Sequence, residues 1–254
     1  YIPESRKLHV RTRGVGGGLV GVENGIAHYR FQYARPEALA PEDGTPERQQ
    51  YADMLWVSTM PDMVALGRIS NRFFQGKAEV TEPIATLARE LTQGKLGERE
   101  KVRAVHEWVA RNINYVSISL GLGGRLTPHP AAEVLERRYG DCKDHAVLMQ
   151  AMLDSLGIPS SPALINLGSV YDFPEIGAHG PINHVITYVP GLDMFLDSTD
   201  PFSRFGALSA ANAGKPVVLT RLGRLAMTPA LRARDNWSRT EIELDIDGGG
   251  TVRG

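Results

Sequence analysis

Cys142 is the only cysteine in the chain, and it stands where a helical pattern begins. The stretch Tyr139-Gly140-Asp141-Cys142-Lys143-Asp144-His145-Ala146 is followed by Val147, Leu148, Ala151, Met152, Leu153 and Leu156. Those apolar residues fall at threes and fours, and Gly157-Ile158-Pro159 closes the run. That is an amphipathic helix with a stop signal. At a helix start the backbone N–H groups lack intrahelical partners and the dipole favours negative charge. A thiolate is stabilised in that position. A lone cysteine is more often a small buried hydrophobe, but Asp141 and Lys143 flank this one and argue against a wholly apolar pocket. Further along, His184 opens one strand pattern and Asp197 closes the next. A cysteine nucleophile needs a base to hold its proton, and the base needs an orienter. His184 would take the thiol proton, and Asp197 would fix the tautomer and stabilise the imidazolium. Singly, His184 reads as a satisfied strand histidine and Asp197 as a turn cap. The chemical reading comes from the three together, in this structural order.

The two strands predict a geometry. His184 to Val189 and Met194 to Asp197 flank a turn at Pro190-Gly191-Leu192-Asp193, which is a hairpin signal. With Gly191-Leu192 as the loop, Val189 faces Met194 and His184 faces Thr199. Asp197 then lies diagonal to His184 on one face of the pair, within side-chain reach. Asp193 falls in the turn, and Asp200 falls on the opposite face. An acyl-transfer site also needs donors for an oxyanion. The backbone N–H of Cys142 is one candidate. Tyr115 is a candidate second donor and has the alternative reading of a half-buried strand aromatic.

The elements around these residues follow in chain order. Residues 1–60 read as β-rich, with strands over 8–12, 28–33 and 53–59. The glycines of 14–18 read as a flexible loop without phosphate-loop spacing, and 36–46 reads as a surface loop. A short helix is expected over 61–74, with Arg68 and Arg72 on a solvated face. Helices follow over 84–91 and 98–113, the second carrying Val102, Val105, Trp108, Val109 and Ile113 on one face. Residues 112–116 are extended, 120–130 form a loop, and 130–135 start a short helix leading to Cys142. After the cysteine helix come a strand over 161–166 and a long loop over 168–181 that is a candidate border of the cleft. Residues 203–235 read as irregular with a β segment at 216–220. Residues 237–247 alternate and predict a strand, with Gly248-Gly249-Gly250 as a tight turn. Helices first and strands second suggest α+β, with helices packed on one side of an antiparallel sheet. The boundaries expected are a β-rich region over 1–75, a core over 81–235 and the start of a further β-rich domain over 236–254. The abrupt ends suggest a fragment.

Composition narrows the class. The chain has 254 residues, 42% of them hydrophobic and 22% charged, with a net charge of −1. Near-zero charge argues against nucleic acid as the main partner. No apolar run is long enough for a membrane span, no signal peptide is present, and one cysteine excludes an internal disulfide. No cofactor or metal is expected. A rival metal reading does exist. Cys142 and His145 are spaced i, i+3 on one helix, and His179 and His184 have zinc-like spacing. The two pairs come from different elements, and no second cysteine is available.

The words around the three candidate residues resemble the transglutaminase-like superfamily. Tyr139 to Ala146 with Leu156-Gly157-Ile158-Pro159 resembles its cysteine helix, Asn183-His184-Val185 its histidine strand, and Leu196-Asp197-Ser198-Thr199 its aspartate strand. Trp108 to Tyr115 resembles the lead-in segment, and the likeness spans about residues 81–202. The resemblance implies a papain/transglutaminase-like core, α+β with helices on an antiparallel sheet, flanked by a β-rich N-terminal region. It implies cysteine-dependent acyl transfer on an amide of a peptide or protein substrate, as a peptidase, amidase or cross-linker, in a periplasmic or extracytoplasmic setting. The family also includes inactive members, so a non-catalytic binding module is the alternative.

Overall fold

The computed structural model describes residues 1–34, 40, 42–117, 126–202, 204–232, 234 and 239–253. In chain order the strands and helices are β1 (Ile2–Pro3), β2 (His9–Arg13), β3 (Gly16–Glu23), β4 (Ile26–Gln32), α1 (Arg48–Tyr51), β5 (Met54–Ser58), α2 (Met63–Phe74), α3 (Glu82–Thr92) and α4 (Glu98–Asn112). Then come β6 (Asn114–Tyr115), α5 (Ala131–Arg137), β7 (Tyr139–Gly140), α6 (Cys142–Ser155), β8 (Ser161–Ile165), β9 (His184–Val189) and β10 (Met194–Leu196). The last are β11 (Pro216–Leu219), β12 (Arg224–Met227), β13 (Asp245–Ile246) and β14 (Val252–Arg253). The architecture is α+β. An antiparallel five-stranded sheet runs β10-β9-β8-β11-β12. Its central strands β8 and β9 are buried at every residue, as strands covered on both faces must be.

Alternation along those strands sorts the side chains into two cores. Leu164, Val185, Val189, Leu196 and Val218 join the cluster built with the helices, while Ala163, Ile165, Ile186, Tyr188, Phe195, Val217 and Leu219 form a second cluster. Helix α6 lies at the centre of the first. It packs on β8 and β9 to one side and on α3, α4 and α5 to the other. That explains why it is buried almost all round, which is what an enclosed helix looks like. The apolar stripe of α4 is sealed in the same cluster, with Val102, Val105 and Val109 at 0% exposure. Helix α2 reaches this core by close approach: a Cβ on Gly67 would stand 2.3 Å from Val218 Cγ1.

The ends of α6 are fixed by its own sequence. Asp141 is the N-cap; its Oδ1 accepts from Lys143 N at 2.9 Å and Asp144 N at 3.3 Å. Asp144 reaches back to Asp141 N at 3.1 Å, completing a reciprocal capping box. The same Asp144 carboxylate accepts from His129 N and His129 Nδ1, which ties the segment before α5 to the helix start. Gly140 makes room for it, since a Cβ there would lie 2.5 Å from Asp144 Cβ. At the far end Gly157 adopts φ +71°. Ile158 N bonds Leu153 O and Gly157 N bonds Asp154 O, the paired C-terminal bonds of a Schellman motif.

Three sequence expectations are corrected. The glycines of 14–18, expected as a loop, lead into and begin β3, which pairs with β4 from Gly16↔Gln32 onward. Glycine serves the pairing there: at Gly17 a Cβ would meet Arg30 O at 2.1 Å. The strand expected over 237–247 is reduced to β13, paired only with β14. Ile242, Leu244 and Ile246 are all exposed, so the alternating pattern finds no surface among the described residues to bury against; 235–238 lie outside the described residues. Finally, β12 was not anticipated. It follows Gly223, whose φ of +60° makes the reversal after β11. Of the two expected loops, 36–39, 41 and 120–125 lie outside the described residues. The 168–181 loop is held against the N-terminal elements: Gln50 Oε1 accepts from Tyr171 N and Asp172 N, and Gly180 packs on the Trp56 ring.

Candidate active site

The hairpin register is the expected one. Val189 pairs with Met194, Tyr188 with Phe195 and Thr187 with Leu196. The connection is a 3₁₀ turn over Pro190–Leu192 closed by Asp193 at φ +45°, and it keeps the same pairing sum as a two-residue loop. Continuing that register sets Asp197 diagonal to His184, and His184 Nε2 lies 2.8 Å from Asp197 Oδ2. The Cys142 thiol, at the first residue of α6 and partly exposed, interacts with the same imidazole and raises its proton affinity. Since Nε2 is taken by the carboxylate, Nδ1 is the nitrogen left for sulfur. Three elements therefore converge: the α6 start, the β9 start and the residue just past β10.

The Asp197 carboxylate is more fully held than the sequence suggested. Oδ2 accepts from His184 Nε2 and from Asn212 Nδ2, each at 2.8 Å. Oδ1 accepts from Thr199 N at 3.0 Å and Thr199 Oγ1 at 2.7 Å. The Thr199 bonds are a local Asp-x-Thr turn that the sequence does encode. Asn212, fully buried, ends a short 3₁₀ turn over Ala210–Asn212 and carries no sequence signal.

The electrostatics follow from these contacts. Burial pushes the His184 imidazole down, but its bond to Asp197 and its contact with Cys142 outweigh burial and lift it to about 9. Burial pushes Asp197 up, and the His184 and Thr199 bonds overcome it and hold the carboxyl down to about 2. At neutral pH the pair is imidazolium and carboxylate. Burial also pushes His106 and His145 down, against weaker opposing contacts, so both are neutral.

These directions predict a stability maximum. Below the ordinary histidine value of 6.5 the unfolded chain protonates His106 and His145 while the folded chain resists. Stability then falls with falling pH, by up to about 1.4 kcal/mol per pH unit for each ring until its folded value is reached. His184 acts oppositely: its contribution is complete below 6.5 and is lost as pH rises through about 9. Asp197 is lost only as pH falls from about 4 through about 2. Thermal unfolding across pH 4.5–9.5 should therefore peak near pH 6.5 and decline on both sides. A melting temperature that climbs steadily to pH 9 would contradict the His184–Asp197 pairing.

The other named residues are placed as follows. Tyr115 pairs with Gly140 through β6 and β7 and sits edge-on to His145, with ring centroids 6.0 Å apart. Burial first, and then the Cys142 side chain, push its phenol up, while Ser117 opposes them. His145 faces the chain that follows β10. Its Nδ1 turns to Ser198 O at 2.9 Å, and among the described residues no group of three His, Cys, Asp or Glu is arranged to hold a metal ion. Asp193 accepts from Tyr188 Oη in the turn, and Asp200 accepts from Phe202 N.

Comparison with known proteins covers part of this chain. Residues 85–172 match the model of the Transglutaminase-like superfamily. The matched segment runs from within α3 through the Cys142 helix to the loop after β8, and it stops short of His184 and Asp197. The fold matches that of a crystal structure described as a candidate protease from Parabacteroides distasonis, with a TM-score of 0.68 and 23% identity. The match covers 90% of this chain and 43% of that one, so this chain spans less than half the length of that neighbour. A candidate cysteine protease from Cytophaga hutchinsonii aligns over 52% of this chain and 42% of its own, with 21% identity and a TM-score of 0.35. No curated protein matches the chain. No helix among the described residues is long and apolar enough to cross a membrane.

Proposed function

We propose that this chain carries out cysteine-dependent acyl transfer on an amide bond, with Cys142, His184 and Asp197 as its catalytic triad. The observation that carries the reading is the imidazole of His184, in contact with the Cys142 thiol on one side and bonded to Asp197 on the other. In the proposed reaction Cys142 attacks as the thiolate, with His184 as the imidazolium. The thiolate attacks the amide carbonyl and forms a tetrahedral oxyanion. The Cys142 backbone N–H, one of the free donors at the α6 start, is aimed at such charge; Tyr115 is the candidate second donor. As the C–N bond breaks, the imidazolium gives its proton to the departing amine and leaves a thioester on Cys142. Neutral His184 then takes a proton from water or from an incoming amine, which attacks the thioester and releases the sulfur. Throughout, Asp197 stays ionised, orients the ring and stabilises its positive form.

We propose a peptide or protein as the substrate class and, from the superfamily resemblance alone, a periplasmic or extracytoplasmic setting. The test is product profiling on a peptide library with and without a primary amine. Cleaved or amine-joined products are expected with the unaltered protein and none with Cys142→Ala. Equal products from both would remove the cysteine from the reaction. A folded protein with a reactive thiol but no products would favour a binding module that kept the fold.

A further inference from the structure

Outside the Cys142–His184–Asp197 line, two more histidines are almost fully buried, His106 at 2% and His145 at 1% exposure. They come from different helices, α4 and α6, and both meet the same short stretch of main chain. His106 Nε2 lies 3.1 Å from the Asp197 carbonyl oxygen, and His145 Nδ1 lies 2.9 Å from the Ser198 carbonyl oxygen. A carbonyl only accepts, so each facing nitrogen carries the proton. The remaining nitrogens, His106 Nδ1 and His145 Nε2, are buried and find no hydrogen-bond partner among the described residues. Each ring therefore spends its single N–H on this stretch.

The stretch needs them. Strand β10 ends at Leu196, and its ladder with β9 ends there too, at Leu196↔Thr187. Asp197 and Ser198 have left the sheet yet are buried, at 7% and 4% exposure. Buried carbonyls must be paired, and the two imidazoles replace the lost sheet partners. The carboxylate of Asp197 departs from this same backbone toward His184. His145 is also one turn along α6 from Cys142, so a single bond ties the helix that carries the sulfur to the chain that carries the carboxylate.

We propose that His106 and His145 are positioning residues, which pin the Asp197–Ser198 main chain and thereby hold the Asp197 carboxylate on His184. The proposal rests on the triad reading above. Neither ring touches the reacting atoms; both act through Asp197.

The test follows the His184 ring by NMR as pH is varied, with thermal unfolding recorded alongside. His106→Leu and His145→Leu should each move the His184 titration downward by about half to one pH unit, the scale of one ordinary hydrogen bond. His106→Gln places an amide nitrogen near the Nε2 position, and His145→Asn places one near Nδ1; both should restore the titration. A purely structural role would lower the melting temperature and leave that titration in place, so folded Leu variants with an unmoved His184 overturn the proposal. Should the Leu variants fail to fold, the ring nitrogen shifts of the unaltered protein decide. Neutral rings protonated at His106 Nε2 and His145 Nδ1 support the proposal, and the opposite tautomer or a charged ring at either position overturns it. Asp197→Asn is the control. If it leaves the His184 titration unmoved, the triad reading fails and this proposal with it; if it lowers the titration while the Leu variants do not, positioning alone fails.

Discussion

Replacing His184 with Gln should reduce turnover by on the order of a thousandfold or more, because one side chain supplies both the base and the acid of the reaction. The ring is 2% exposed, bonded to Asp197 at 2.8 Å and in contact with Cys142. Gln keeps a polar group of similar size and can still donate to Asp197. It cannot carry the positive charge or move a proton at neutral pH. Turnover should therefore fall far more than stability, and alkylation gives a second, smaller readout. An ordinary thiol is only a few per cent ionised at pH 7, so loss of the imidazolium should slow iodoacetamide about twentyfold to fiftyfold. A folded variant that alkylates and turns over like the unaltered protein would show that His184 is a structural histidine.

Asp197→Asn should cost less, about a hundredfold to a thousandfold in turnover; the corresponding change in serine proteases costs about ten-thousandfold. The geometry explains why an isosteric change is harmful. All four bonds to the carboxylate come from donors: His184 Nε2, Asn212 Nδ2, Thr199 N and Thr199 Oγ1. An amide offers one accepting atom and one donating atom. If its oxygen serves Thr199, its NH₂ faces the His184 N–H and the Asn212 NH₂, and donors meet donors. Relief comes when His184 gives up its Nε2 proton, which removes the imidazolium and reverses the tautomer presented to sulfur. The thiolate–imidazolium pair partly supports itself, hence the smaller loss. Asp193→Asn and Asp200→Asn should change turnover little, since Asp193 serves Tyr188 in the turn and Asp200 serves the Phe202 amide. Turnover and thermal unfolding of the three variants check this; a loss with Asp200→Asn but not Asp197→Asn would reverse the assignment.

Much of this site was legible in the sequence because its signals are local. The cap, the cysteine and the helix stop lie on one continuous run, and capping boxes and Schellman turns are written in neighbouring residues. The hairpin register depended only on turn symmetry and strand alternation, which was enough to single out Asp197 from Asp193 and Asp200. The hidden parts are those set by long-range packing. Asn212 ends a short 3₁₀ turn, and nothing near it in sequence points to a carboxylate. His145 offered a misleading local signal, three residues from Cys142, and its true partner lies on another element. His106 reads as one polar residue on an amphipathic helix until β10 is laid beside it. The strand expected over 237–247 failed for the reverse reason: the alternation is clear, but no surface among the described residues meets it.

The central claim is that the fold makes Cys142 a nucleophile rather than a small core residue. The most direct test is the rate constant for iodoacetamide at pH 7 with the folded chain, compared with the same chain unfolded in urea. Because Cys142 is the sole cysteine, the signal has one source. This account predicts that the folded protein reacts at least about tenfold faster, since an unfolded thiol is only a few per cent thiolate at that pH. A folded protein that resists alkylation and reacts only after unfolding would contradict it.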